Sequence, residues 1–187
     1  MEDAKTNITD PAQRENSRAN AISDLLKLFS ASMSRQEYLD AVVQLIQKWS
    51  GCQHVGVRIR DRLNNIPFEA HTGYDNTFMD LEGTMCLDNT TCICPRVMLG
   101  QPDPEEKDNI SPEGSFFSEN SITLVGGFSE TRLKRYRGVC PQRGYATLVV
   151  SPVKYRGEIL GVIHLADERP GLLSPEDLLF IESVNPL

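Results

Sequence analysis

The sequence lacks the features that would place it in a membrane, outside the cell or on nucleic acid. It has no run of about 18 apolar residues, so it predicts no membrane-spanning helix. Residues 1–10, MEDAKTNITD, are polar and lack the apolar centre of a signal peptide. A cytoplasmic location is therefore expected. The net charge of −7 offers no broad positive surface, so nucleic acid is not expected as a partner.

The sequence also lacks the short motifs of common catalytic sites. Gly126 and Gly127 are not followed by Lys and Ser or Thr, so there is no phosphate-binding loop. No Gly-x-Ser-x-Gly or His-Glu-x-x-His pattern occurs, and a histidine-kinase catalytic core and a phosphoacceptor receiver are both absent. We expect this segment not to be an enzyme, with any catalytic output in another domain of a longer parent protein.

Capping signals and apolar spacing predict helices near both ends of the chain. Its 187 residues suit one domain better than two, and we predict a linker or helical lead-in over 1–20 and a single domain over 21–187. Apolar residues at helical spacing predict a helix over 21–33. Ser34 and Glu37 form a capping-box pattern that begins a second helix.

That second helix is predicted to end at Gly51. The segment SPED at 174–177 begins a last helix, with Ser as N-cap and Pro in the first turn. Its apolar pattern is still running where the chain ends, so we expect the C-terminal helix to be truncated.

Between the helices, the period of the apolar residues changes to two. Residues 54–60 alternate and predict a strand, with 66–74 as its antiparallel return. Two β-branched segments, 145–153 and 158–165, predict a hairpin. The irregular middle, 75–142, is too long for a structureless loop, so we expect short helices and one short strand there.

The closing segment carries a family resemblance. Residues 145–167, YATLVVSPVKYRGEILGVIHLAD, resemble the last hairpin of GAF domains, and LLSPEDL at 172–178 resembles the entry into their C-terminal helix. The resemblance covers about residues 20–187, and its motifs are structural. It implies an α+β fold with an antiparallel sheet of about six strands. Terminal helices would pack on one face, and a ligand pocket would lie under loops and short helices on the other.

A closer resemblance is to GAF domains of bacterial sensor histidine kinases that carry a Cys-x-Cys group and a later cysteine before the hairpin. The segment GSFF at 114–117 lies between the matching cysteines. NITD at 7–10 looks like the tail of a PAS domain that would precede this segment in a bacterial or archaeal parent protein. The cysteines that match the pattern are Cys86, Cys92, Cys94 and Cys140.

These four cysteines are the main candidates for chemistry. Four thiolates suffice for a tetrahedral zinc ion or an iron–sulfur cluster, although the spacing fits neither the usual zinc pairs nor ferredoxins. Two of them could instead form a reversible disulfide as a redox switch, or all could be buried apolar residues or exposed bystanders. The fifth, Cys52, follows a helix end and is expected in the core.

A basic run surrounds Cys140. It would lower the pKa of the thiol, hold an anionic ligand, or form a solvated helix face. Its members are Arg132, Lys134, Arg135, Arg137 and Arg143.

The predicted ligand-binding residues lie around the expected pocket. His164, in the closing strand, could ligate haem or a metal, although a strand histidine is more often satisfied by hydrogen bonds. The set comprises Ser115, Phe116, Arg137, Arg143 and His164.

The resemblance implies a sensory module that detects a small molecule, a metal or the redox state and signals through its terminal helices to a kinase or other output domain. Two alternatives remain. One is a cysteine-dependent reductase similar to free methionine sulfoxide reductase: Cys94 and Cys140 match its spacing, but its aromatic and glycine signature is missing. The other is a domain that serves only dimerisation. A homodimer is expected through an apolar stripe that could equally cover the sheet, formed by Ile22, Leu25, Leu26 and Phe29.

Overall fold

An antiparallel sheet lies at the centre of the fold. The structure is a computed structural model that describes residues 11–88, 92–134 and 136–184. Its strands are β1 (His54–Ile59), β2 (Phe68–Thr72), β3 (Phe116–Ser118), β4 (Thr147–Tyr155) and β5 (Glu158–Asp167). Within the described residues they form one five-stranded sheet in the order β2-β1-β5-β4-β3. The predicted α+β class is confirmed, with five strands where about six were expected.

Helices lie at both ends of the described chain and between the strands. They are α1 (Pro11–Ser30), α2 (Arg35–Ser50), α3 (Asn76–Glu82), α4 (Ile93–Leu99), a 3-10 helix (Pro104–Asn109), α5 (Ser121–Gly126), α6 (Glu130–Leu133), α7 (Val139–Gln142) and α8 (Pro175–Val184). Within the described residues the first helix already includes Pro11, ahead of the expected start at 21. The PAS-like residues 7–10 lie outside the described residues. None of the described helices is long and apolar enough to cross a lipid bilayer.

The predicted caps are confirmed. Ser34 Oγ accepts a hydrogen bond from the Glu37 backbone N–H, and the Glu37 carboxylate accepts one from Ser34 N–H at 2.8 Å. Gly51 ends α2 with φ +68°, a left-handed conformation that suits glycine. At α8, Ser174 and Asp177 exchange the same pair of hydrogen bonds. These local contacts fix where α2 and α8 begin.

Alternating side chains divide the core into two parts, one on each side of the sheet. The helix side packs against α2 and α8, and the loop side is covered by the short helices α3 to α7, here called the roof. Residues of the helix-side core include Val43, Val55, Val57, Val149, Ile163, Leu165, Leu178 and Ile181. Residues of the loop-side core include Phe78, Cys92, Cys94, Val97, Phe116, Cys140, Leu148, Val150 and Val162.

The predicted closing hairpin is confirmed as β4 and β5. Its turn consists of Arg156 and Gly157, both with positive φ, which matches the right-handed twist of the strands. The register places Val150 opposite His164. Because neighbours in a strand face opposite sides, His164 lies on the loop side and Ile163 on the helix side.

Buried ion pairs hold the roof together. Oε1 of Glu106, in the 3-10 helix, lies 2.6 Å from Arg96 of α4 and 2.8 Å from Arg132 of α6. All three side chains are buried. The expected mixture of short helices and one short strand in the middle segment is confirmed, and these charges join helices too short to be stable alone.

Candidate functional site

Three polar side chains form a hydrogen-bonded line inside the loop-side core. The Tyr74 hydroxyl lies 2.5 Å from Nδ1 of His164, and Nε2 of His164 lies 3.6 Å from Sγ of Cys140. Their exposed fractions are 8%, 1% and 7%. They come from the loop after β2, from β5 and from α7. The fold therefore brings together groups that are distant in sequence.

The backbone of β1 makes room for this line. Gly56 pairs with His164, and the Phe68 ring lies where a side chain at Gly56 would be. Phe68 stacks on Tyr74 with ring centroids 5.3 Å apart, and Tyr74 stacks on Phe78 at 4.6 Å. These aromatic contacts fix the hydroxyl that bonds His164.

A buried arginine lies against the same aromatic rings. The Arg58 guanidinium lies 3.6 Å from the centre of the Phe68 ring and donates hydrogen bonds to the carbonyls of Ile66 and Glu82 at 2.8 and 2.5 Å. Its positive charge also disfavours protonation of His164. No sequence pattern marked Arg58 or Tyr74 as site residues, because both follow from how the roof packs.

Burial keeps the whole line uncharged at neutral pH. It lowers the pKa of His164 to about 3 and raises the pKa values of Tyr74 and Cys140 well above their ordinary values. In one tautomer of His164, Nδ1 accepts a hydrogen bond from the Tyr74 hydroxyl and the Nε2–H group faces Cys140. In the other tautomer, Nε2 accepts a hydrogen bond from the Cys140 thiol. In both tautomers all three groups are uncharged, and the tautomer decides which neighbour donates to His164.

Three of the four predicted cysteines share this core. Cys92 and Cys94 are buried at the start of α4, and both influence the pKa of Cys140 electrostatically. Burial raises the pKa of Cys94 to about 12. Cys86 does not join them: its side chain is exposed, between the inward-facing Met85 and Leu87.

The four-thiolate group, one of the alternatives that the sequence left open, is thus not assembled in this structure. Among the described residues, no group of three or more His, Cys, Asp or Glu side chains has an arrangement that could hold a metal ion.

Of the three interpretations of the basic run, the structure contradicts the one in which it lowers the pKa of Cys140. Burial dominates and raises it, and the neighbouring arginines are paired with carboxylates. Arg137 Nε lies 2.8 Å from Glu82 Oε1, and Arg143 forms an ion pair with Asp75. Of the rest of the run, Arg132 pairs with Glu106, Lys134 is exposed and Arg135 lies outside the described residues.

The other two predicted ligand-binding residues lie apart from the line. Ser115 Oγ is 2.8 Å from Ser151 Oγ of β4, and its backbone N–H donates to Ser111. This pairing ties β3 to β4. Phe116 is fully buried in the loop-side core opposite Val150, where it contributes apolar surface.

In the described part of the chain, cavities lie next to the sheet on both sides. A polar cleft of about 290 Å³ is lined by residues that include His54, Asp75, Arg143 and Tyr145. His54 stacks on Tyr145 with ring centroids 4.5 Å apart, so the cleft borders the aromatic residues around His164. An apolar cavity of about 190 Å³ lies on the helix side between α1, α2, α8 and the sheet.

Residues 34–185 match the family model described as GAF domain. The chain belongs to the GAF family. This confirms the family to which the closing hairpin and the entry into the last helix pointed. A comparison with curated proteins gave no match.

Several solved structures share the fold at low sequence identity. The GAF domain of A. aeolicus nlh2 is 18% identical, with a TM-score of 0.60 over 92% of this chain and 93% of that one. Free methionine-R-sulfoxide reductase from Neisseria meningitidis is 11% identical, with a TM-score of 0.65 over 92% and 86%. A domain described as part of a two-component sensor histidine kinase of Sinorhizobium meliloti is 16% identical, with 0.53 over 82% and 87%. At these identities the likeness shows the fold alone.

Proposed function

We propose that this GAF domain is a regulatory module that binds a small molecule on the loop side, in contact with Tyr74, His164 and Cys140. The observation that carries the proposal is the hydrogen-bonded line itself, because three polar side chains from separate elements meet inside an apolar core. Burying polar groups costs free energy unless they are bonded, and an apolar trio would fill the same space. The line is therefore best explained by recognition.

The charge state of the line favours an uncharged polar ligand. Tyr74, His164 and Cys140 are neutral at pH 7, and the charges of Arg58 and Glu82 act on each other nearby. An added ion would have to leave water for this apolar core, which costs far more than burying a neutral hydrogen-bonding group. Side chains of the roof cover the line, so the roof must move for a ligand to enter.

The output of the module is proposed to leave through α1 and α8. These helices pack over the helix side of the sheet, whose strand β5 carries His164 on the opposite side. The likeness to the Sinorhizobium meliloti kinase domain supports a parent signalling protein with a kinase or other output domain. The domain would act as a homodimer in the cytoplasm.

A thermal-shift screen of small uncharged metabolites tests the binding proposal. A ligand is expected to raise the Tm of the native chain and to have a much smaller effect on Tyr74→Phe or His164→Gln. Ser115→Ala is the matched control, because its buried hydrogen bond belongs to the β3–β4 contact. A ligand whose effect survives both site substitutions would contradict the proposed site.

The buried thiols support a second candidate, a cysteine-dependent reductase. Cys94 and Cys140 lie in one core, and Cys94 contributes to raising the pKa of Cys140. The fold is similar to that of the Neisseria meningitidis reductase. In this reaction the sulfoxide oxygen moves to the Cys140 sulfur, giving a thioether and a sulfenic acid. The Cys94 thiol then displaces water to form a disulfide, and an external dithiol reduces that disulfide.

Turnover of free methionine sulfoxide with dithiothreitol tests this candidate. Activity that is lost in Cys140→Ser and kept in Cys86→Ser, whose thiol is exposed, would establish the reductase. Absence of turnover in the native protein would exclude it. A metal ion or an iron–sulfur cluster on the cysteines, or a haem held by His164, stays a prediction from the sequence. An absorption spectrum and elemental analysis of protein purified without oxygen check it.

A further inference from the structure

The segment that carries Cys140 is a short strap with a glycine at each end. The single turn α7, Val139–Gln142, lies between Gly138 at φ +61° and Gly144 at φ +85°. Both glycines occupy the left-handed region, which other residues adopt only at a cost. The strap can therefore pivot at two points without deforming a regular helix or strand.

Arginines fasten both ends of the strap to one helix. Arg137 lies 2.8 Å from Glu82, the last residue of α3, and donates to the Leu81 carbonyl. At the other end Arg143 pairs with Asp75, which caps the first turn of α3. The second ion pair is partly exposed, so it is the weaker of the two fastenings.

The closed strap keeps the Cys140 thiol unreactive. Cys140 is 7% exposed, and the surrounding apolar core disfavours both a thiolate and a protonated His164. The thiolate is the reactive form of cysteine. When the strap opens, water would enter and lower the cost of charging Cys140 and His164. His164 itself would stay in place, because it lies on strand β5.

We propose that the strap, residues 137–144, opens about its two glycines and makes Cys140 a modification site for soft electrophiles, with His164 as the group that receives the thiol proton. The inference deepens the proposed function, because the same opening is the ligand's route to the line. With iodoacetamide, the thiol proton passes to Nε2 of His164 and the sulfur bonds to the carbon that carries iodine. The carbon–iodine bond breaks, iodide leaves, and the imidazolium returns its proton to water.

Iodoacetamide labelling of the full chain, followed residue by residue by mass spectrometry, tests the strap. Asp75→Asn removes the charge but keeps an N-cap side chain, and Arg143→Gln breaks the same pair from the other side. Each is expected to label Cys140 about two to five times faster, because an exposed ion pair contributes a modest amount to closure. Arg156→Gln, in the β4–β5 turn, is the matched control.

Cys92 and Cys94 report on unfolding in the same experiment. They are buried in the same core but lie outside the strap, so their labelling rates are expected to stay unchanged. Equal acceleration of all three cysteines would show global opening and overturn the proposal. An unchanged Cys140 rate in both variants would overturn it as well.

Hydrogen exchange separates opening from proton transfer. The amides of 138–144 should exchange faster in Asp75→Asn, whether or not His164→Gln is added. The double variant, Asp75→Asn with His164→Gln, should exchange its strap amides as fast as Asp75→Asn but label Cys140 more slowly. If both variants label Cys140 at the same rate, the role of His164 is overturned. None of these measurements uses a ligand. The strap proposal can therefore fail while the ligand screen succeeds, and the ligand screen can fail while the strap is confirmed.

Discussion

Glu106 is a single carboxylate that two guanidinium groups share inside the roof. Arg96 and Arg132 both contact Oε1, and Arg132 also lies 3.3 Å from the centre of the Phe128 ring. A buried ion is stabilised only while its partners are present. The roof over the candidate site therefore depends strongly on this one side chain.

Replacing Glu106 tests that dependence. Glu106→Gln is expected to lower the free energy of unfolding by about 3–5 kcal/mol, because the charge that both arginines share is lost. Glu105→Gln is the matched control, since Glu105 is more than half exposed and its contact with Arg132 is 3.5 Å long. Its expected cost is below about 1 kcal/mol. Urea unfolding measures both, and equal losses would contradict the role of Glu106.

His164 should make stability depend on pH. Its pKa in the folded protein is about 3, against 6.5 for the ordinary side chain. Between these two pH values the unfolded state binds this proton and the folded state does not. The unfolding free energy should fall by up to about 1.4 kcal/mol per pH unit as the pH drops from 6.5 towards 3. His164→Gln should remove this part of the slope, and exposed His71→Gln should keep it. Urea titrations at several pH values compare the three proteins.

The sequence predicts the longer helices and the closing hairpin better than the short helices of the roof. The second helix, the closing hairpin and the last helix were predicted because caps, period and turn residues agree locally. Helices of four to seven residues in the roof carry no periodic signal, and the line of Tyr74, His164 and Cys140 depends on how they pack. The sequence therefore indicated His164 and Cys140 as candidates but missed Tyr74 and Arg58.

The apolar stripe of α1 divides between the interior and the surface. Leu25 lines the helix-side cavity, while Ile22, Leu26 and Phe29 are 37%, 51% and 69% exposed. Such a row of exposed apolar residues is suited to contact with a second copy of the helix. The packing does not favour the alternative that the whole stripe covers the sheet.

The proposed homodimer can be tested on that surface. Phe29→Glu is expected to convert dimer to monomer with little loss of monomer stability, because the side chain is mostly exposed. Leu63→Glu, which alters another exposed apolar residue, should leave the dimer intact. Sedimentation velocity distinguishes the two states, and a native protein that stays monomeric would contradict the proposal.

The two cores share one sheet, so the molecule should unfold as a unit. Val149 and Val150 are adjacent and fully buried, but they face the helix side and the loop side respectively. Each Val→Ala substitution should cost on the order of 2 kcal/mol and shift the same single transition. Calorimetry measures this directly, and separate transitions for the two sides would show that the cores are independent.

The central pairing of β1 with β5 has a consequence for the order of folding. Val57 pairs with Ile163, so on the order of a hundred residues must be looped out before this contact forms. The β4–β5 hairpin is local and can form early, whereas β1 has to wait. On a ribosome, β1 and β2 can pair with each other early, but the other edge of β1 would stay unpaired until β5 has emerged. The candidate site would be completed only at that last step.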